Sequence, residues 1–461
     1  MTQDLPAGVV DTVICGEATA VLKTLPECSV HCCVSSPPYW GLRDYGIPPT
    51  HWPEISFSPM PGLPPMTIPA MDCVHGLEDD IWAYVGHEVQ VFREVWRVLR
   101  DDGTCWLNLG DSYSSSGGRT SACGPNAQCG NTLMEASPSS RSGPRNMNGL
   151  SPKQLVGVPW RVAYALQADG WYLRSACPWM KKNPMPESCD DRPTTTVESI
   201  FLFSKKADYY YDSQAVKLAS TRQDGAAADF KRETKESLSP GQSATQHRPD
   251  RNPTQNSGLR LRRSTDWFFE SWKGLLLDGD GGPLAFVVNP KGTTEAHFAT
   301  FPPKLVEPMI LVSTSEKGCC PKCGAPWRRV VKKDRVATRS GNSSKVYRDP
   351  VGSPYEQHSG DIVGNRDPFR HCTTSKTVGW EPSCVCGDFD PVPCVVLDPF
   401  GGSGTVGWMA AKLRRHYILI DLHPTYADEI ASARLLEAEV GVPVREQRAG
   451  QMALFGEEKR P

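Results

Sequence analysis

Two stretches of this 461-residue chain carry residues whose types and spacing could do chemistry. The first runs Val395-Val396-Leu397-Asp398-Pro399-Phe400-Gly401-Gly402-Ser403-Gly404-Thr405-Val406-Gly407. It reads as a strand, a Gly-rich turn and a helix start, an arrangement that lets backbone approach a ligand closely. Residues 402 to 407 spell G-x-G-x-x-G and Asp421 closes the next strand, so a dinucleotide is one candidate ligand. Asp398 argues for another. A carboxylate at the strand tip repels a pyrophosphate but suits the α-amino group and sulfonium of S-adenosylmethionine. Asp421 would take ribose hydroxyls under either reading, and a plain strand–helix turn is the bland alternative.

The second stretch is Ser35-Ser36-Pro37-Pro38-Tyr39-Trp40, at the end of an apolar strand. Two prolines fix the backbone and remove two N–H donors, which leaves carbonyl acceptors at a strand's carboxyl end, where α/β sheets bind ligands. A Ser hydroxyl and the Pro37 carbonyl could each accept a hydrogen bond from an exocyclic amino group, and Tyr39 offers a face for a planar base. Alone, such a turn is more often only a turn.

Cys320-Pro321-Lys322-Cys323 is a C-x2-C knuckle, and Cys384-Val385-Cys386 supplies a second pair. Four thiolates of Cys320, Cys323, Cys384 and Cys386 would make a tetrahedral zinc site; reduced structural cysteines are the alternative, and Cys319, Cys372 and Cys394 are nearby spares. Between the pairs, Arg328, Arg329, Lys332, Lys333, Arg335 and Arg339 form the densest basic stretch, which would serve phosphate contact or stand as a solvated charged loop.

These groups need a scaffold that alternates strand and helix. Strands are expected at Val9 to Cys15, Val30 to Val34, Thr104 to Leu109, Trp171 to Trp179, Val197 to Phe203, Tyr209 to Tyr211, Cys394 to Leu397 and His416 to Asp421. Helices are expected at Ala18 to Leu25, Ile81 to Arg100, Lys153 to Ala168, Val406 to Leu413 and from Pro424 into the 430s. Two polar stretches, 112 to 150 and 219 to 265, break the rhythm as a long loop and an inserted segment. Cys32 and Cys33 fall within a strand and read as core.

Lys and Arg number 50 against 52 Asp and Glu, so any DNA binding must come from local patches and not from a uniformly basic surface. Seventeen scattered cysteines speak for a reducing compartment and against a secreted disulfide scaffold. The N-terminal residues lack a signal-peptide pattern, and no run of about 18 apolar residues occurs, so neither secretion nor a membrane span is expected.

Taken together, Ser36-Pro37-Pro38-Tyr39 and Asp398-Pro399-Phe400-Gly401-Gly402-Ser403-Gly404-Thr405 resemble the two signature motifs of the amino-methylating DNA methyltransferases, in the motif order of their β group. Trp179-Met180-Lys181-Lys182-Asn183-Pro184-Met185-Pro186 and His297-Phe298-Ala299-Thr300-Phe301-Pro302 resemble further segments of that family. The resemblance implies an α/β, Rossmann-like, S-adenosylmethionine-dependent methyltransferase fold of circularly permuted motif order, with a mostly parallel sheet. By this resemblance Ser36, Pro37, Pro38 and Tyr39 are catalytic, while Asp398, Phe400, Gly401, Gly402, Gly404, Thr405, Asp421 and Thr300 bind S-adenosylmethionine.

The implied organisation is a catalytic half at 8–211, a target-recognition insertion at 212–284, a cofactor-side segment at 285–315, a zinc-ribbon-like insertion at 316–392, a cofactor-binding half at 393–440 and a tail at 441–461. Arg260, Arg262, Arg263 and Trp267-Phe268-Phe269 lie in the 212–284 interval, which is either target-reading or linker. The partner implied is double-stranded DNA, with a cognate restriction endonuclease as a companion and a bacterial or phage-encoded, cytoplasmic setting. A serine opening the turn is associated in that family mainly with N4 of cytosine, an aspartate mainly with N6 of adenine, so Ser36 favours cytosine over adenine. A dinucleotide-dependent oxidoreductase and a non-catalytic zinc-ribbon DNA-binding protein are the readings from other classes.

Overall fold

The structure, a computed structural model, describes residues 9–114, 149–181, 191–192, 195–216, 286–287, 302–337 and 371–440. The chain divides into two compact units, the first of residues 1–217, 285–328 and 382–461, the second of 218–284 and 329–381.

The first unit is built on an eight-stranded sheet. Its strands are β1 (Thr12–Cys15), β2 (Val30–Ser35), β7 (Leu99–Leu109), β8 (Tyr172–Met180), β9 (Val197–Ser204), β10 (Phe286–Val287), β13 (Val395–Asp398) and β14 (His416–Asp421). Their order across the sheet is β1-β14-β13-β2-β7-β9-β8-β10. Only β9 runs against its neighbours, antiparallel to β7 and β8; every other pairing is parallel. The α/β fold with a mostly parallel sheet is therefore as the sequence implied.

Helices cover both faces, which is why the central strands β2 and β13 are buried on both sides and carry apolar residues on each face. Cys33 and Leu397 pack in one core with Leu22 of α1 (Ala18–Thr24), Phe92 of α2 (Ile81–Val98) and Val162 of α3 (Val158–Ala168). The alternate residues Cys32, Val34 and Val396 pack in a second core with Met309 of α4 (Pro303–Ser313), Val406 of α5 (Thr405–Lys412) and Leu435 of α6 (Ser432–Val440). Cys32 and Cys33 are both fully buried, as core residues should be.

Several boundaries move. The residues Tyr209 to Tyr211 form no strand. Helix α2 stops at Val98 and β7 begins at once, so Asp102-Gly103 lies inside the strand and not at a helix end. The stretch before α3 is not helical until Val158, because Gly157 takes a left-handed conformation (φ 76°) just ahead of Pro159. The last helix opens with a π-helical turn, Thr425–Ala431.

Four short strands follow the SPPY turn that the sequence reading did not anticipate. They are β3 (Thr50–Trp52), β4 (Ile55–Phe57), β5 (Met66–Ile68) and β6 (Met71–Cys73), with β3 antiparallel to β6 and β4 to β5. Each has only three residues, too short for an alternation of apolar side chains to stand out.

In the second unit, β11 (Arg328–Ala337, its first residue still in the first unit) pairs with β12 (His371–Glu381) as a two-stranded ribbon. Arg328, Arg329, Lys332, Lys333 and Arg335 all lie on β11, where the Arg329 guanidinium stacks 4.3 Å from the Trp380 ring and donates to Thr377 Oγ1 at 3.1 Å. Over these five residues the basic stretch is a strand and not a loop; Arg339 lies outside the described residues. The implied insertion at 316–392 is also divided: its four metal-spaced cysteines belong to the first unit, and only 329–381 joins 218–284.

Candidate active site

Parallel strands carry their carboxyl ends on one edge, so the partners β2 and β13 bring Ser36 and Asp398 together although most of the chain separates them. The Ser35 hydroxyl donates to Asp398 Oδ1 at 2.8 Å, and the Phe400 N–H donates to the same oxygen at 3.0 Å. Burial pushes Asp398 up to about 7, against the pull of these two hydrogen bonds, and the nearby Asp421 carboxylate adds to the rise. Its carboxylate is thus short of positive charge, which an ammonium or sulfonium would supply.

Asp421 ends β14, next to β13. Its Oδ2 accepts from Gly402 N–H and its Oδ1 from His423 N–H, both at 2.8 Å, which orients the carboxylate and leaves lone pairs for a ligand's hydroxyls. Burial raises this group too. Gly404 explains the tightness of the turn, since at φ 74° a Cβ there would lie 3.0 Å from Ala431 Cβ. Arg434 of α6 ties the loop from outside through Ser403 Oγ at 2.9 Å and Thr405 Oγ1 at 2.8 Å.

One concave pocket joins these groups. Ser36, Pro38, Asp398, Phe400, Gly401, Gly402, Thr405 and Asp421 line it, so eight of the proposed site residues converge. Lining residues the sequence reading missed are Glu17, Tyr45, Trp52, His75, His423 and Tyr426. Trp52 lies on β3, and Tyr45 and His75 flank the four-strand segment, whose pairing is set by contacts invisible in a linear reading. Glu17 could have been noticed as a helix cap, because its carboxylate accepts from Thr19 and Ala20 N–H. Thr300 and the segment His297 to Phe301 lie outside the described residues, as do Lys182 to Pro186, Arg260, Arg262, Arg263 and Trp267 to Phe269.

Tyr39 is placed beside this pocket and does not line it. Its hydroxyl donates to Glu198 Oε2 at 2.8 Å and accepts from Asn108 Nδ2, while Ser36 Oγ lies 3.3 Å away. Lys181 pairs with the other Glu198 oxygen. Because β9 runs antiparallel, its second residue, Glu198, reaches the carboxyl edge where β7 delivers Asn108. Asn108 Oδ1 is buried without a partner. The Tyr39 ring packs on Gly110, where a Cβ would come within 2.5 Å of it. Burial and the Glu198 carboxylate hold the Tyr39 phenol well above its ordinary range, so it stays neutral.

The four cysteines come together as their spacing required. The sulfurs of Cys320, Cys323, Cys384 and Cys386 all lie within 4.8 Å of one another. Tetrahedral zinc with Zn–S of about 2.3 Å needs sulfurs roughly 3.8 Å apart, so the donor set fits the metal. The knuckle sits at the amino ends of the strands, with Arg100 of β7 donating to Cys323 O at 2.6 Å and His31 of β2 within 2.8 Å of Gly324 O. From His31 to Ser36 is roughly 16 Å of strand, so this cluster is remote from the pocket. His31, Cys319 and Cys394 also approach one another, but both imidazole nitrogens are already occupied, by Gly324 O and by Val395 N–H.

A family profile described as DNA methylase, covering N6 and N4 methyltransferases, matches residues 30–320 and 393–432. The type II methyltransferase M.Cfr9I of Citrobacter freundii is 32% identical over 94% of this chain and 89% of its own length. M.XycI of Xanthomonas campestris pv. cyanopsidis is 32% identical over 92% and 87%, and M.SmaI of Serratia marcescens is 43% identical over 44% and 59%. Among the described residues no helix is long and apolar enough to cross a membrane.

Proposed function

The chain belongs to the N6/N4 DNA methylase family of S-adenosylmethionine-dependent DNA methyltransferases, and from that membership we propose that it methylates the exocyclic N4 of cytosine in double-stranded DNA. The observation that carries the reading is the pocket lined by Ser36 and Pro38 of the turn and by the Asp398 loop, the two joined by the Ser35–Asp398 hydrogen bond. Membership also sets aside the oxidoreductase and the non-catalytic binder.

S-adenosylmethionine supplies an electrophilic methyl group on a sulfonium. Asp398 pairs with its cationic part and Asp421 accepts from ribose hydroxyls, which leaves the glycine loop's backbone close against it. The reacting amine is hidden in a duplex, so the nucleotide must flip out at a cost of a few kcal/mol, offset by stacking and base-edge hydrogen bonds. Ser36 and the Pro37 carbonyl accept from the amine hydrogens and draw them out of the base plane, which frees the nitrogen lone pair for in-line attack; the nitrogen–methyl bond would form as the methyl–sulfur bond breaks to leave a neutral thioether, and the methylated amine would release one proton to solvent. No covalent cysteine is required, and Cys32 and Cys33 are fully buried in the strand. Tyr39 is held upright by Asn108 and Glu198 at the base-side margin.

Serine at position 36 supports cytosine over adenine. Mass spectrometry of nucleosides from DNA treated with the protein and labelled methyl donor tests this. Label in N4-methylcytosine is expected; label in N6-methyladenine overturns the base, and label in 5-methylcytosine overturns the mechanism. The type II designation of the relatives further supports a paired restriction endonuclease.

We also propose that Cys320, Cys323, Cys384 and Cys386 hold a structural zinc ion, on the strength of their mutual approach. It would pin the chain where it leaves and re-enters the first unit around residues 329–381.

A further inference from the structure

Between the catalytic turn and the glycine loop stands a buried ionic cluster that the mechanism above does not use. His75 Nε2 lies 2.8 Å from Glu88 Oε1 and its Nδ1 3.3 Å from Glu78 Oε1. His87 Nδ1 lies 2.9 Å from the same Glu78 oxygen, and Gly76 N–H donates to Glu78 Oε2 at 2.9 Å. Both carboxylates are fully shielded from solvent. Burial alone would depress His75, but the Glu88 and Glu78 carboxylates override it and lift the imidazole to about 10. The same pairing, with His75 and His87, overrides the upward push of burial on Glu78 and holds it at about 2.

His75 thus turns Nε2 to the Glu88 carboxylate at hydrogen-bond distance, while Nδ1 faces Glu78 at 3.3 Å without a hydrogen bond. With both ring nitrogens beside carboxylates, what it offers its surroundings is its two faces. One face lies parallel to Phe400, with centroids 5.5 Å apart and planes 10° from parallel. The Tyr84 ring stacks with it as well, at 5.4 Å and 22°. A cation is attracted to aromatic faces, more strongly when desolvated, so this stack resists sliding. Tyr84 then reaches the turn, since its hydroxyl donates to Pro38 O at 3.0 Å. A second tie runs through the neighbouring residue: Gly76 O accepts from Gly41 N–H at 2.7 Å, and at Gly76 a Cβ would touch Pro38 Cβ at 3.1 Å. His75 itself lines the pocket, as do Phe400 and Pro38.

We propose that His75 is a positioning residue for methyl transfer, its ring stacked with Tyr84 and Phe400 so that the turn holding the amine and the loop holding the methyl donor keep a fixed separation. The proposal rests on the methyl-transfer reading and extends it. Reaction between two bound groups depends steeply on their distance, and a displacement of about 1 Å can lower the rate roughly a hundredfold. Glu88 fixes Nε2 of the ring, and the stacking of Tyr84 and Phe400 on it sets its plane.

The test compares His75→Gln and Tyr84→Phe with the parent protein on unmethylated plasmid DNA. Cofactor affinity is read by calorimetry, methyl transfer by single-turnover kinetics, and folding by thermal melting. Both variants are expected to bind S-adenosylmethionine within threefold of the parent and to transfer methyl at least tenfold more slowly, the double variant being no slower than His75→Gln. A His75 variant that does not fold leaves the decision to Tyr84→Phe, which keeps the rings and removes the hydroxyl with its ties to Pro38 and Glu88. Unchanged single-turnover rates in a folded variant overturn the proposal, and so does a loss of rate matched by an equal loss of cofactor affinity. A parent protein that transfers no methyl to DNA overturns the underlying reading instead.

Discussion

The Ser35 hydroxyl donates a 2.8 Å hydrogen bond to Asp398 Oδ1, joining two buried residues 363 positions apart in the chain. It ties the residue that precedes the catalytic turn to the carboxylate that opens the cofactor loop. The motif order of the sequence therefore places no strain on the site, because parallel neighbours align their carboxyl ends whatever the order in which they are threaded.

Asp398→Asn is expected to weaken S-adenosylmethionine binding ten- to a hundredfold, since it removes a charge-assisted hydrogen bond worth about 1.5–3 kcal/mol. Asp421→Ala should weaken it as well and also loosen the Gly402 turn, whose N–H it accepts. Titration calorimetry checks both. Parent-like affinity in the two variants would remove the cofactor from this loop.

The pH dependence of cofactor binding should report Asp398, which burial pushes up to about 7. Below that value the carboxyl is protonated and cannot pair with a cation, so affinity is expected to fall about tenfold per pH unit under pH 7 and to level off above it. In the ligand-free protein the sign reverses. A carboxyl raised in the folded state stabilises the fold fully at acid pH, and that contribution is lost as pH rises through about 7. Binding isotherms and melting curves across pH 5.5 to 8.5 would measure the two slopes, and Asp398→Asn should flatten both.

Tyr39→Ala is expected to keep cofactor affinity and lose methyl transfer, because Tyr39 lies beside the pocket and not in its wall. Gly110→Ala should have the same signature, since its Cβ would lie 2.5 Å from the Tyr39 ring and displace it. Ser36→Ala should be milder than either, the Pro37 carbonyl remaining. Equal retention of turnover in the first two variants would show that Tyr39 takes no part.

Purified protein should hold about one zinc ion per chain, and Cys323→Ser should lose it while binding S-adenosylmethionine normally, because the knuckle sits at the opposite ends of β2 and β7 from the pocket. Elemental analysis beside calorimetry checks this. A metal-free parent protein prepared without chelator would leave the four cysteines as reduced thiols.

Much of this protein was legible in its sequence by itself, because the decisive residues are local punctuation. Asp398 to Gly407 declares a strand, a tight turn and a helix within a dozen residues, and Ser36-Pro37-Pro38 marks a strand end by chemistry alone. The paired cysteines did the same by spacing. The tertiary structure decided what depends on contacts between distant segments. That Glu198 and Asn108 meet at Tyr39 follows from β9 running antiparallel, which no pattern of apolar residues in Val197 to Ser204 encodes. Likewise, residues 50 to 80 look like an irregular loop, since three-residue strands are too short for periodicity; only their packing on α2 closes the His75–Glu78–Glu88 cluster and turns His75 toward Phe400.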